Sequence, residues 1–404
     1  MTTDTDAEHP AMPGGLVPLE QWQLPETSVH RTVRSALRDI LAQLRAGVTP
    51  EDTTFRSLDA LPALSARTLA EVAPAPDPAT TADAVGRQLA RLTRGGGRPR
   101  RVPVLVAPPF SGVREALACL DRRLLTPPDE VSMTPAAAAC WWDRQALTDG
   151  DWVLPELADF WLRHPSGLAL VREFLSRVAL DQAGDGLVGC SSWCWTFWTH
   201  YLPELHVAPV TPAPLTGERL TRWLAFLAGG ASGRTVTARM SHDGLYVLPA
   251  PDDGQERKYS GFARDLAALS RGNPGVALAL WRQRLRSHPE DEAAARPLRD
   301  ESGGGRLYWV APLEPMKLPA VPTAAGPGAG HILHALLLHD GLPLDRLAQV
   351  TGLAEPEARV ALSLLLRAEL VAPAGAGEDY RVQPLGYPAV RKYLHARGYP
   401  VDGF

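Results

Sequence analysis

The chain has 404 residues, of which 45% are hydrophobic and 21% charged, and a formal net charge of −4. That length exceeds what one ordinary core serves, so two or three domains are expected. The charge excludes a global basic field that would draw in nucleic acid or an anionic membrane, and four cysteines in so long a chain argue against a disulfide framework.

Residues 1–26 are acidic at the start, lack the basic-then-apolar pattern of a signal peptide, and read as a disordered lead. No apolar run approaches the roughly 20 residues of a membrane span, so a cytoplasmic location is expected. Residues 27–96 read as a helical extension and linker. Within it, His30–Leu44 carries Val33, Leu37, Ile40, Leu41 and Leu44 at helical spacing. A Pro-rich linker is expected at Ala73–Thr81 and a second helix at Ala82–Leu92.

Between residues 97 and 215, strand-like and helical patterns alternate. The apolar run Val102–Ala107 suits a buried strand, and a helix is expected at Glu115–Leu125. Strand-like runs recur at Trp152–Leu157, Asp185–Cys190 and His206–Val210, with helical segments at Gly167–Leu180 and Trp195–Tyr201. This alternation predicts an α/β fold: a parallel sheet covered by helices on both faces.

Residues 216–300 turn helical. Thr216 is placed as an N-cap, residues 229–258 read as a mobile Gly- and Asp-rich insertion, and helices are expected at Phe262–Leu269 and Val276–Leu285. Residues 325–404 have the order helix, short helix, helix, wing, helix: His331–Leu338, Leu344–Val350, Pro356–Ala368, two short strands about a Gly-rich tip, and Ala389–Arg397. With Gly352 in the turn between the second and third helices, that order predicts a winged-helix domain.

The segment Ala107–Arg114 lies directly between strand and helix, where a phosphate loop belongs. Such a loop wraps phosphates with backbone N–H groups; a lysine adds charge and a Ser or Thr holds magnesium. Gly112 matches the second glycine of that motif, but Ala107 replaces the first, Val113 the lysine and Arg114 the hydroxyl residue. Pro108, Pro109, Phe110, Ser111 and Gly112 would form the cradle. Arg114 offers a guanidinium to a phosphate but no ligand to magnesium. Glu156 falls near the end of a strand that in such proteins carries the magnesium-positioning carboxylate; the alternative is a solvated surface glutamate. Ser191 and Ser192 stand where a polar residue senses the γ-phosphate, or else cap the helix that follows.

The order of these parts resembles the AAA+ and STAND class of P-loop ATPases, particularly origin-recognition-like members, over roughly residues 80–285. The winged helix would be the usual C-terminal companion. In Ser270–Trp281, Gly272 and Pro274 are similar to the Gly-x-Pro lid motif whose proline packs on adenine, while Gly275 stands where many lids carry an arginine. The stretches Phe160–Leu175 and Val188–Trp198 resemble a bacterial group of ATPase-like proteins. The resemblance implies a regulatory or signalling protein that binds ATP or ADP through a degenerate loop, with weak or no hydrolysis because the lysine and hydroxyl are absent. The alternatives are a nucleotide-free scaffold for a protein partner, or a DNA-binding regulator.

Other clusters read more plainly. Cys190 and Cys194 lack the spacing of a zinc pair and are expected to be buried thiols, and the tryptophans around them are expected to fill a core. His331, His334 and His339 read as surface or packing residues. Across residues 331–404, seven Lys and Arg face eight Asp and Glu, which favours a protein contact over DNA for this domain.

Overall fold

The computed structural model describes residues 9–25, 61–94, 101–204, 207–230, 236–249, 257–287, 306–314, 316–374 and 379–404. Two compact units divide the chain, one drawn from Met1–Gln23, Pro76–Ala213 and Lys317–Phe404, the other from Leu24–Ala75 and Pro214–Met316. The expected helix His30–Leu44 lies outside the described residues.

The first unit is built on a six-stranded sheet in the order β1-β6-β2-β5-β4-β3, with β1 at Leu16–Pro18, β2 at Val104–Ala107, β3 at Arg123–Leu124, β4 at Trp152–Leu154, β5 at Gly186–Ser191 and β6 at Val210–Pro212. Strands β2 to β6 run parallel, and only β1 is antiparallel, pairing with β6. Residues 9–25 are therefore not a disordered lead: Leu16 and Met12 are buried, and β1 closes the edge of the sheet. Local composition gave no hint of this, because the pairing partner lies about 200 residues away in the chain.

Successive side chains of a strand point to opposite faces, so each apolar run serves two cores. Val104, Val106, Trp152, Leu154, Val188 and Cys190 face a layer rich in Trp and Phe, while Leu105, Ala107, Val153 and Leu187 face a second layer. Helices α1 (Pro78–Arg94), α2 (Val113–Ala118), α3 (Pro135–Arg144), α4 (Ala169–Ala179) and α5 (Ser192–Tyr201) connect and cover the strands. Pro78–Thr81 open α1, with Asp77 accepting from the Thr80 backbone N–H at 2.9 Å, so the expected linker ends earlier than the Pro-rich composition suggests. The helix expected at Glu115–Leu125 stops at Ala118, and Arg123–Leu124 become the edge strand β3. The strand expected at His206–Val210 is instead Val210–Pro212.

Tryptophans fix the first core. Trp142 and Trp152 are fully buried, and their indole N–H groups donate to Leu170 O at 2.8 Å and to Leu147 O and Ala183 O at 3.0 and 2.9 Å. Each ring is thus buried without an orphaned donor.

The second unit contains the short helix Ala66–Val72, α6 (Gly217–Gly229), α7 (Phe262–Leu269) and α8 (Pro274–Arg284). Thr216 caps α6, accepting from Arg219 N at 3.4 Å. A three-stranded sheet runs β7-β9-β8, with β7 at Val236–Met240, β8 at Leu285–Arg286 and β9 at Arg306–Val310. Strand β7 lies within residues 229–258, so that stretch is not simply a mobile insertion: Val236, Ala238 and Met240 are buried against a parallel partner 70 residues on.

The chain then returns to the first unit. Helix α9 (Gly328–Leu338), β10 (Leu342–Pro343), α10 (Leu344–Thr351), α11 (Glu355–Arg367), β11 (Val371–Pro373), β12 (Asp379–Val382) and α12 (Tyr387–Ala396) follow in order, and the strands pair as β10-β12-β11. Gly352 sits at φ 71° after α10, a left-handed position that glycine adopts without strain. His334 and His339 are buried in this segment, so both are packing residues. Among the described residues, no helix is long and apolar enough to cross a membrane.

Candidate functional site

Strand β2 sends its connection toward β3, and β5, its neighbour, sends its own toward β6. The two connections cross the sheet in opposite directions, and the C-terminal ends of parallel strands are where α/β proteins bind ligands. The residues leaving β2 and β5 here are Pro108–Gly112 and Ser191.

Pro108, Pro109, Phe110, Ser111, Gly112, Arg114, Glu156 and Ser191 all line one cleft of about 100 Å³, together with Cys190, Asp340 and Arg381. The loop is a sharp bend. Phe110 and Gly112 both have positive φ, at 65° and 77°, and Gly112 is the N-cap of α2. Phe110 is held there by edge contact with the Tyr387 ring, centroids 5.5 Å apart. Ser111 Oγ accepts from Val113 N at 3.4 Å. Val113 points into the second core layer and is 4% exposed.

Arg114 lines the cleft with its guanidinium already bonded. Its Nη2 donates to Asp159 Oδ2 at 2.8 Å and its Nη1 to Asp340 Oδ2 at 2.8 Å. Burial by itself would lower the guanidinium's pKa, but Asp159, then Asp340, outweigh it and raise it. Arg381 stands 3.8 Å from the same Asp340 oxygen. The guanidinium that the sequence offered to a phosphate is therefore already shared by two carboxylates.

Glu156 is buried, which overturns its reading as a solvated surface residue. Its Oε1 accepts from Ala158 N at 2.9 Å and Ser191 N at 3.0 Å. Burial, with Asp340 and Asp159 nearby, pushes its carboxyl up to about 8, and Asp159 is raised by burial to about 6 against the pull of Arg114. Burial therefore favours the protonated form of the Glu156 carboxyl.

Ser191 is the N-cap of α5, accepting from Cys194 N at 3.3 Å, and also lines the cleft. Ser192 turns elsewhere. Its hydroxyl meets Asp402 at 2.5 Å in a buried group that includes Arg391, Tyr387 and, through its indole N–H to Tyr387 Oη, Trp193. Gly272 and Pro274 belong to the second unit. Gly272 has φ 74°, and a Cβ there would lie 2.9 Å from Pro214 and 3.0 Å from Pro25, so local packing alone demands glycine. Pro274 opens α8 behind the N-cap Asn273, which accepts from Val276 N at 3.1 Å.

Cys190 and Cys194 are buried free thiols, as expected, and burial pushes both thiols up. Sequence reasoning missed Asp159, Asp340 and Arg381 in the cleft's charge network. The one local signal was Asp340–Gly341 directly after an apolar helix; nothing in those letters pairs them with Arg114.

No protein-family model matches the chain, and none of the curated proteins matches it. Among solved structures it is similar to the ORC2 protein of Aeropyrum pernix, described as ADPNP–ADP complexes, at 13% identity over 86% of this chain and 98% of that one, with a TM-score of 0.28.

Proposed function

We propose that this protein is a non-hydrolysing regulator of the P-loop ATPase type, in which a C-terminal winged helix is latched to the phosphate loop. The observation that carries this reading is the Arg114 fork between Asp159 and Asp340. An ATP or ADP phosphate entering the cleft would meet the bend Pro108–Gly112 and compete with the Asp340 carboxylate for Arg114. Nucleotide occupancy would then loosen one of the contacts between the sheet's loops and residues 317–404, leaving the Ser192–Asp402 and Trp193–Tyr387 bonds in place.

Turnover is not part of the proposal. Val113 replaces the charge-bearing lysine and is buried in the core, and the Arg114 guanidinium is shared by Asp159 and Asp340. Without a lysine ammonium or an uncommitted guanidinium at the loop, developing phosphoryl charge has little side-chain charge to stabilise it.

The order of elements from α9 to α12 supports the winged-helix reading, and its charge supports a protein partner over DNA. Helix α11, which would enter the major groove, opens with Glu355 and Glu357, and Arg359 is paired with Glu355. A nucleotide-free scaffold is the second reading, favoured by Val113, which is buried where a phosphate-binding lysine would stand.

Calorimetry with ATP and with ADP separates the two. Under the first reading Asp340→Asn binds about tenfold more tightly than wild type, through loss of roughly 1.4 kcal/mol of competition, and Gly112→Glu gives no heat. Absence of heat in wild type and Asp340→Asn alike leaves the scaffold.

A further inference from the structure

Behind the cleft, one wall gathers Glu156, Cys190 and Cys194, whose ligand atoms all lie within 4.8 Å of one another. We infer that these three side chains form a binding site for one thiophilic divalent cation of the zinc class, with a fourth position open to the cleft. The inference does not depend on nucleotide binding.

Geometry comes first. Metal–sulfur bonds of about 2.3 Å and metal–oxygen bonds of about 2.0 Å, arranged tetrahedrally, put neighbouring donor atoms about 3.5–3.8 Å apart. The three donors need to close by little more than about 1 Å, within the reach of rotamer adjustment. Their backbone positions suit this: Cys190 is the next-to-last residue of β5, Cys194 lies in the first turn of α5, and Glu156 follows the adjacent strand β4.

The surroundings orient the donors as outer-shell partners do. Ala158 N and Ser191 N both fall on Glu156 Oε1, so Oε2 is the oxygen offered to a cation. Trp161 Nε1 donates to Cys194 Sγ at 3.3 Å, a contact that strengthens as sulfur gains negative charge. The positive end of the α5 dipole also favours a thiolate at Cys194.

Chemistry then selects the ion. Two sulfurs disfavour magnesium and calcium and favour zinc. Binding exchanges protons without redox change: one dication displaces one proton from each thiol and one from the carboxyl, giving a centre of charge −1. Arg114, close enough to act on Glu156 electrostatically but already shared by Asp159 and Asp340, offsets part of that charge. Cys190 and Glu156 line the cleft, so the fourth position faces an entry path where water or a phosphate oxygen can sit.

Cobalt titration of the reduced, chelator-treated full chain tests the site. The expected result is one cobalt per chain, with a sulfur-to-cobalt charge-transfer band that zinc abolishes. Cys190→Ser and Cys194→Ser lose the band, Glu156→Gln binds at least about tenfold more weakly, and Cys119→Ser and Cys140→Ser change nothing. Should the serine variants fail to fold, thiol alkylation of wild type read by mass spectrometry decides: zinc slows modification of Cys190 and Cys194 at least tenfold and leaves Cys119 and Cys140 alone. A folded wild type with no band, a band carried by the two exposed cysteines, or alkylation rates indifferent to zinc overturns the inference.

Discussion

Arg114 and Asp340 are 226 residues apart in the chain and 2.8 Å apart in space, Nη1 to Oδ2. Arg114 stands in the first turn of α2, directly after the bend, and Asp340 follows α9 at a φ of 51°. Since Asp159 takes the other arm of the same guanidinium, one side chain ties the sheet's leading loop, the segment after β4 and the C-terminal elements together.

Removal of that cation leaves Asp159 and Asp340 facing each other beside Glu156. The three ion-pair side chains are 25–30% exposed, so solvent screens part of the cost. Arg114→Ala is expected to lose about 1–3 kcal/mol of unfolding free energy in urea melts. Arg114→Lys recovers little, because a point charge does not bridge two carboxylates as a fork does. Equal stability of Arg114→Lys and wild type would contradict the role of the fork.

Gly112 and Gly189 should respond to alanine in opposite degree. A Cβ on Gly189 would stand 2.1 Å from Pro155 O and 2.5 Å from Leu117 Cδ1, whereas nothing lies within 4 Å of one on Gly112. Gly189→Ala must shift backbone between β5 and the end of β4 and is expected to cost upwards of about 3 kcal/mol. Gly112→Ala pays only for its left-handed φ, about 1 kcal/mol. Thermal melts of the two variants check the ranking.

Replacement of the missing lysine is not expected to create an ATPase. Val113 packs among Ala107, Leu117 and Leu105, so Val113→Lys must carry its ammonium out of a core layer. A loss of about 2 kcal/mol is expected, with no phosphate release above background. Measurable turnover by this single variant would show that the site is complete in every other part.

The buried histidines make stability pH-dependent. Burial, then the Arg163 charge, hold His334 at about 4 and His339 at about 3, well below the usual 6.5. A base whose folded pKa is depressed contributes stability that is complete above pH 6.5 and lost as pH falls toward the folded value. Glu156 and Asp159, raised by burial, work in the reverse sense: their contribution fades as pH rises from their ordinary values toward about 8 and about 6. A difference measurement isolates the histidine. Between pH 7 and pH 4, His334→Gln is expected to gain on the order of 3 kcal/mol relative to wild type. A gap between the two proteins that stays constant with pH would count against it.

Periodicity and capping chemistry are local, and where they govern, the letters alone were enough. The alternation of β2, β4 and β5 with helices, the Thr216 and Ser191 caps, and the helices from Phe262 to Arg284 all follow from residues within one or two turns of each other. The bend Ala107–Gly112 and its approach to Glu156 and Ser191 were legible for the same reason, since they sit at the ends of neighbouring strands.

Tertiary structure alone decided the rest. Strand β1 exists because β6 accepts it, and β7 because β9 lies beside it; short strands with distant partners carry little pattern of their own. Whether Arg114 would face a phosphate or a carboxylate, whether Glu156 would be solvated or buried, and whether two cysteines would lie beside a third donor all depended on charges and burial contributed from elsewhere in the chain. Electrostatic energy acts through space and is set by what excludes water, and neither distance nor dielectric is written in the order of residues.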